Sequence, residues 1–523
     1  MTTDEMRSRQ ARPAWFPVAH PIALGAASFL LLLVSSGASL FAGTRMVLIA
    51  AVVITLLTAA AGALMRDRHR GGVLALAIVL VLIVGDRPLQ LAAIGLGILM
   101  LIVERIASLR RPTRTPWPLI TRVANVIAAV VLVAITIKAV QDGTIGAFVA
   151  DVSAEGPSFL RSDRPAAQFD PASPDIYVLM LDGYVRDDKL IDLFGYDNRP
   201  FLTELAARGF DVSSGSRSNY LLTAVSLASA FNMRHLNGET SLAALPVGNV
   251  HHVREARALI NKNAVFSELR SRGYETIAMA SGFEEVALRE ADRYIDTGQI
   301  NEVELLSMRT TSVGTILSTI APNFFAEQQR ARIDALFRAA EQVGAEAHQR
   351  PRFVFVHIPS PHAPVVFAAD GSPIDTVDLS TFYDDRATRK GMTLEEYGDL
   401  YTGQVAYLNG RVLETVDAIL GSAARPPVIV LFSDHGSANG FRPEDLLQSD
   451  LDERSANLVA ALTPGHHRVL GDSISLVNLF GRLLDAYFGS SHPDQPDTVY
   501  RWDGPSIFNI VPVPGLTTGE RDP

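Results

Sequence analysis

No cysteine occurs in the 523 residues of this chain. That absence excludes a disulfide framework, a thiolate metal site, a cysteine nucleophile and a formylglycine made from cysteine. It does not choose a compartment, since a thiol-free chain is tolerated in reducing and oxidising surroundings alike. A clustered stripe of Lys and Arg is also missing, and the formal net charge is −10. Phosphate-backbone binding needs such a stripe, so nucleic acid is not an expected partner. Internal repeats and low-complexity tracts are absent as well.

What the chain does have is apolar residues gathered at one end. Mean hydropathy over the whole chain is +0.19, an average of a lipid-like first third and an ordinary globular remainder. Five apolar segments are readable before residue 140, at about 22–41, 46–65, 73–85, 89–103 and 119–137. A spanning helix needs ~20 apolar residues. The third and fourth segments are shorter and are joined by the turn signal GDRP, which fits a tilted or half-inserted hairpin. Either form returns the chain to the same side.

Arginines orient these segments. Arg7, Arg9 and Arg12 precede the first, Arg66, Arg68 and Arg70 separate the second from the third, and Arg105, Arg110, Arg111 and Arg114 separate the fourth from the fifth. The opposite loops carry only Arg45 and Arg87. The positive-inside rule then puts the N-terminus in the cytoplasm and the large C-terminal part outside. The later apolar segments argue for a retained anchor over a cleaved signal peptide. The expected organisation is a five-helix transmembrane domain at 1–140, a juxtamembrane linker at 141–173, a catalytic domain at 174–490 and a C-terminal tail at 491–523 that wraps the surface or frays. The expected location is the inner or plasma membrane, multi-pass.

From Pro174 the pattern changes. Short β-branched apolar runs at 175–181, 274–279, 353–358, 428–432 and 458–462 alternate with helical stretches such as 201–208 and 331–347. Continuous apolar strands between helices predict an α/β domain whose central sheet is mostly parallel and covered on both faces. Ligands of such sheets bind beyond the carboxyl ends of the strands. Asp182, His357, Asp434 and His435 all fall there.

The most specific of these signals is SDHG, Ser433 to Gly436, directly after the buried run PPVIVLF. An Asp and a His delivered together at a strand end, with a glycine to turn the chain, make a pair of metal ligands. DGY at Asp182 to Tyr184 supplies another carboxylate after an apolar run, and Thr223 opens the helical stretch TAVSLASAFNM. Carboxylates, an imidazole and a hydroxyl suit one divalent ion such as zinc or manganese. Coordination favours the alkoxide of an otherwise weak nucleophile, and a helix N-terminus favours an anion such as a phosphoryl group. Each piece has an ordinary explanation too: a Thr before a helix is commonly an N-cap, and DG after a strand is commonly a turn. In HIPSPHAP, His362 suits protonation of a leaving oxygen or contact with a phosphate oxygen, while His357 is substrate-facing or structural. The pairs His466 with His467 and His251 with His252 are expected in solvated loops.

In chain order, DIYVLMLDGY, SNYLLTAVSLAS, FVFVHIPSPHAP, VIVLFSDHG and SISLVNLF resemble the alkaline phosphatase and sulfatase superfamily. The resemblance is strongest to its membrane-anchored branch of lipoteichoic acid synthases and lipid A phosphoethanolamine transferases, and it runs from about 174 to 488. It implies that Asp182, Thr223, Asp434 and His435 hold the metal, that Thr223 is the nucleophile forming a phospho-threonine, and that His362 contacts the substrate headgroup. The chain also departs from that branch. Its first acidic ligand is Asp where those transferases carry Glu, no further histidine stands clearly downstream of SDHG, and no Asp-x-x-x-His precedes it. One metal is therefore expected rather than two. The CxPxR context of a sulfatase nucleophile is absent.

The resulting expectation is a transferase moving a phosphoglycerol or phosphoethanolamine headgroup from a membrane lipid to an envelope glycan, lipid or glycerol-phosphate acceptor. A phosphodiesterase, phosphatase or sulfatase-type hydrolase on the same scaffold is the alternative, and a non-enzymatic envelope scaffold is the third reading. Acceptor recognition is expected in the loops at 237–262, 284–323 and 370–397.

Overall fold

The computed structural model describes residues 18–36, 40–83, 117–141, 168–237, 250–375, 392–504 and 506–516. The fourth apolar segment and most of the expected linker lie outside these. The chain divides into two compact units. One gathers the N-terminal helices together with residues 306–316, and the other holds the remainder.

Among the described residues of the first unit are helices His20–Ser36, Leu40–Met65, Arg68–Ile83 and Trp117–Gln141. They coincide with the first, second, third and fifth apolar segments. Two of them, over Phe41–Met65 and Trp117–Gln141, are long and apolar enough to cross a membrane, and His20–Val34 is a shorter apolar helix. Their outward faces are aliphatic: Leu48, Leu56, Leu64, Leu119 and Val126 are each more than 60 % exposed. Water would not support such stripes on a monomeric surface. Asp67 caps the helix Arg68–Ile83, accepting from the backbone N–H groups of His69 and Arg70 at 2.9 and 3.0 Å.

The second unit is built on a seven-stranded sheet. In chain order its strands are β1 (Ile176–Leu181), β2 (Asp211–Val212), β3 (Glu275–Met279), β4 (Arg293–Ile295), β5 (Arg352–Ile358), β6 (Val428–Phe432) and β7 (Val459–Leu462). Their spatial order is β2-β7-β6-β1-β5-β3-β4. The five strands from β6 to β4 are parallel, whereas β7 runs antiparallel to β6 and β2 antiparallel to β7. The sheet is thus mixed and mostly parallel. All five expected strands are present, while β2 and β4 are too short to leave a periodic signal.

Both faces are covered, as the unbroken apolar strands require. Ile176, Val178 and Met180 of β1 share one core with Phe353, Phe355, Val428 and Val430, beneath the helices Thr223–Asn232 and Leu476–Phe488. Tyr177, Leu179 and Leu181 point the other way, into a core with the helices Phe324–Ala345 and Leu394–Ser422. The second of these helices begins with a full capping box, Thr393 and Glu396 exchanging side-chain and backbone bonds.

Among the described residues of the expected C-terminal tail, β8 (Tyr500–Trp502) and β9 (Ile510–Pro512) form a hairpin, and Phe508 is buried in the first core. Tyr500 stacks on Tyr220, with ring centroids 5.6 Å apart, and its N–H donates to the Asn219 carbonyl. The aromatic and β-branched residues of this Pro-rich stretch had somewhere apolar to go. His251 and His252 lie in the helix Val250–Asn261, not in a loop, because the amphipathic run after them carries the helix through both positions. His466 and His467 are exposed in a loop, as expected.

Candidate active site

Three adjacent strands end together. β1 lies between β5 and β6, and the register pairs Met180 with both His357 and Phe432. Asp182 therefore emerges at the level where β6 hands over to Ser433 and Asp434. The two turns are bolted to each other. Tyr184 N–H donates to Ser433 Oγ at 2.8 Å and Gly183 N–H to Asp434 Oδ1 at 3.2 Å, while Ser433 Oγ donates to the His435 carbonyl at 2.6 Å. Gly183 holds φ at +73°, a left-handed conformation that a side chain resists.

Gly436 is required for a different reason. A Cβ placed there would lie 2.0 Å from the Glu453 carbonyl oxygen and 2.6 Å from that of Ala456, both rigid backbone atoms. Gly436→Ala is expected to destabilise the fold by roughly 2–4 kcal/mol, because backbone must move to admit one methyl group. Denaturant unfolding of the full chain measures this, and an unchanged midpoint would refute the close approach.

Asp182, Asp434 and His435 are each no more than 1 % exposed, and one ligand atom from each lies within 4.8 Å of the others. His435 Nε2 stands 3.2 Å from Asp434 Oδ2 and 3.7 Å from Asp182 Oδ1. Those two carboxylate oxygens are sealed from solvent and accept no hydrogen bond. His435 Nδ1 is 2.9 Å from the Gly436 carbonyl, which assigns the proton to Nδ1 and leaves a lone pair on Nε2. Unmet buried acceptors of this kind are costly unless a cation satisfies them. Two carboxylates and an imidazole are a donor set that a divalent ion such as zinc or manganese fits.

The electrostatics agree. Burial opposes ionisation of both acids. At Asp182 it is outweighed by His362, His357 and His435, which together hold the carboxyl well below the usual range. At Asp434 burial prevails with help from the charge of Asp182, and the carboxyl is pushed up, offset in part by Thr223, His357 and Arg454. Two buried acids with oxygens within 4.8 Å of each other divide in this way when no cation neutralises them.

Thr223 is the first residue of the helix Thr223–Asn232, and the N-cap is Leu222, which supplies no side-chain bond. The commonplace role of N-cap is thus not the one Thr223 plays. Its hydroxyl instead faces Asp434 and favours that carboxylate's charged form. His357 donates from Nε2 to Asp182 Oδ2 at 3.0 Å and is 1 % exposed. Its place is against the carboxylate it orients. His362 is more open, its backbone N–H bound to the Asp182 carbonyl at 2.9 Å and its ring 6.1 Å from that of His435. Phe283 packs against both rings, at 5.4 Å from His357 and 6.5 Å from His362. The structure thus brings all six expected residues to one end of the sheet.

Two further side chains were not foreseen. Arg454, 2 % exposed, donates from Nε to the Leu221 carbonyl at 3.0 Å and from Nη2 to the His435 Nε2 lone pair at 3.0 Å, a bond that ligation of a cation by Nε2 would replace. Its guanidinium also lies 4.2 Å over the Phe441 ring. Glu453 accepts from the backbone N–H groups of Asn439 and Gly440 at 2.7 and 2.6 Å, fixing the loop that follows SDHG. Both sit on the short helix Leu451–Ser455 in the polar run SDLDERS, where nothing separates a buried charge from a solvated one.

The sulfatase family profile matches residues 174–467, more than half of the chain, and the chain belongs to that family, within the alkaline phosphatase and sulfatase superfamily. It is an enzyme of sulfatase-like type. Among solved structures it is similar to the C-terminal periplasmic domain of EcEptC from Escherichia coli, at 14 % identity over 68 % of this chain and 98 % of that one, TM-score 0.42. It is also similar to the integral membrane lipooligosaccharide phosphoethanolamine transferase A of Neisseria meningitidis, at 14 % identity over 80 % of each chain, TM-score 0.37. A third likeness is to the phosphonate monoester hydrolase of Agrobacterium radiobacter, at 12 % identity over 62 % of this chain and 79 % of that one, TM-score 0.40. No curated protein sequence matches the chain.

Proposed function

We propose that this chain is a membrane-anchored, metal-dependent transferase that moves a phosphorylated lipid headgroup, of phosphoglycerol or phosphoethanolamine type, to a cell-envelope acceptor through a phospho-threonine at Thr223. The observation carrying this reading is the Thr223 hydroxyl at a helix start, facing Asp434 beside two buried carboxylate oxygens that no protein donor meets. The aliphatic stripes on the N-terminal helices support a bilayer as the source of the donor.

Asp182, Asp434 and His435 would hold one divalent cation, zinc or manganese, with Thr223 adjoining; when bound it would lower the pKa of that hydroxyl and screen the phosphate oxygens. The residues of the chain do the rest. Thr223 Oγ attacks phosphorus, its proton passing to the adjacent carboxylate, and the bond from phosphorus to the lipid glycerol oxygen breaks. His362, the more open imidazole, protonates that departing oxygen. An acceptor hydroxyl, its proton taken by the now neutral His362, then attacks the phospho-threonine, the P–O bond to Thr223 breaks, and the carboxylate returns its proton to the threonine oxygen. His357 orients Asp182 throughout, and Arg454 brings a guanidinium beside the start of the nucleophile's helix, where phosphoryl oxygens need positive charge.

The full-length enzyme in vesicles of phosphatidylethanolamine or phosphatidylglycerol tests this. Diacylglycerol is expected to accumulate, with the headgroup found by mass spectrometry on an added glycan, lipid or glycerol-phosphate acceptor. Release of the headgroup to water at the same rate with and without acceptor would establish the hydrolase instead.

A further inference from the structure

One segment of the sulfatase-family region has the character of the N-terminal helices and not of its surroundings. Between Arg309 and Glu327 there is no Asp, Glu, Lys or Arg. Within this run lies the helix Ser312–Ile320, SVGTILSTI. Val313, Ile316, Leu317 and Ile320 recur at the spacing of one helix face. Ile316 is 43 % and Ile320 72 % exposed, Val313 and Leu317 are half-buried, and the other exposed positions are Thr315, Ser318 and Thr319.

Exposed aliphatic residues on a helix do not by themselves mark an interface. The helix Asp187–Phe194 also exposes Ile191 and Leu193, but Asp187, Asp188, Lys189 and Asp192 make it a water-facing helix. Ser312–Ile320 has no such charges.

A second observation says what covers it. Residues 306–316, which take in the first half of this helix and Ile316, cluster with the N-terminal helices, while the residues from Leu317 on belong to the other unit. Ser312 Oγ donates to the Val81 carbonyl at 3.0 Å, two residues from the end of the apolar helix Arg68–Ile83. By the arginine distribution, that end is the extracytoplasmic one. An uncharged helix with an aliphatic face, whose first half groups with helices that expose aliphatic stripes, matches an element lying in the headgroup and acyl boundary of a bilayer.

The geometry points to the helix Ser312–Ile320 as a lipid-binding element that seats Ile316 and Ile320 in the outer leaflet. This inference rests on the membrane reading of the N-terminal helices. It adds a reversible contact with lipid, made by a segment far along the chain from the last apolar helix.

The absence of native cysteine makes the test direct. Full-length variants Ile316→Cys, Ile320→Cys, Ile191→Cys and Leu56→Cys, each carrying an environment-sensitive fluorophore, are placed in vesicles of phosphatidylcholine and phosphatidylglycerol. Lipids doxyl-labelled near the headgroup or deep in the chain then serve as quenchers. Labels at 316 and 320 are expected to shift to the blue and to be quenched at least about twofold by the shallow quencher, as for an interfacial helix. The label at 191 should remain unquenched and that at 56 should be quenched by the deep lipid. Labels at 316 and 320 that behave like the one at 191, while 56 is quenched, overturn the inference and leave the anchor standing. A label at 56 that is also unquenched removes the membrane reading itself and this inference with it. Circular dichroism of each variant confirms an unchanged fold, which the exposure of Ile316 and Ile320 leads one to expect.

Discussion

Thr223→Ala is expected to lower turnover by at least about 10⁴-fold, because removing a nucleophile leaves only the residual effect of binding and electrostatics. That loss corresponds to ~5.5 kcal/mol of transition-state free energy. Stability should move far less. Leu222, not Thr223, occupies the N-cap, so the substitution removes no capping bond, and loss of the hydroxyl's contact with Asp434 is expected to cost about 1–2 kcal/mol of unfolding free energy. Thr223→Ser keeps the hydroxyl and should retain measurable turnover. Intact-mass spectrometry after incubation with donor lipid should find the headgroup phosphate on the parent chain and none on Thr223→Ala. Undiminished turnover of the alanine variant would end the phospho-threonine mechanism.

The second large effect concerns the cation. Stripping divalent metal with a chelator should abolish turnover, and zinc or manganese should restore it at about one ion per chain. Asp434→Asn separates a metal site from a merely structural acid. In the metal-free chain Asp434 is pushed toward its neutral form by burial and by Asp182, and an amide resembles that form. Metal-free Asp434→Asn is therefore expected to unfold at the same temperature as the metal-free parent or higher, while losing metal affinity by at least ~100-fold. Adding metal should raise the unfolding temperature of the parent alone, since only a state that binds the ion is stabilised by it. A variant that still binds one ion and gains the same stabilisation would remove Asp434 from the site.

The family assignment leaves the direction of transfer to experiment. A sulfatase-like fold hosts both transferases and hydrolases, and the proposed phospho-threonine would serve either, so the class follows from which hydroxyl collects the phosphoryl group. In the proposed function the N-terminal helices bear on the donor, by keeping the chain at a lipid surface. The acceptor is a matter of the loops. Among the described residues, all three segments expected to recognise it contain helical residues: 250–261 in the first, 302–309 with 312–320 in the second, and the start of the helix Leu394–Ser422 in the third.

How much was legible in advance depended on whether a feature is local. DIYVLML and VIVLF declare themselves as strands because a strand buried on both faces must be apolar at every position, and the alternate residues of β1 do divide between two cores. SDHG and DGY declare themselves because strand ends in such sheets are where side chains converge. The lipid-like character of the first third is a matter of composition and needs no fold at all. By contrast, β4, the hairpin β8–β9 and the burial of Phe508 had no local signature; each exists because a distant surface was there to receive it.

The chain by itself determined the list of reactive side chains, since a carboxylate at 182, a hydroxyl at 223 and an Asp–His pair at 434 and 435 are chemical facts before any folding. Only the tertiary structure decided that they meet. The bond between Gly183 and Asp434 joins positions 251 residues apart, and that between His357 and Asp182 spans 175. Such contacts come from parallel strands whose register is set by crossover helices, not by neighbours in sequence. Packing alone likewise turned Arg454 from one charge in a polar run into a buried guanidinium beside His435, because burial is a property of the whole fold.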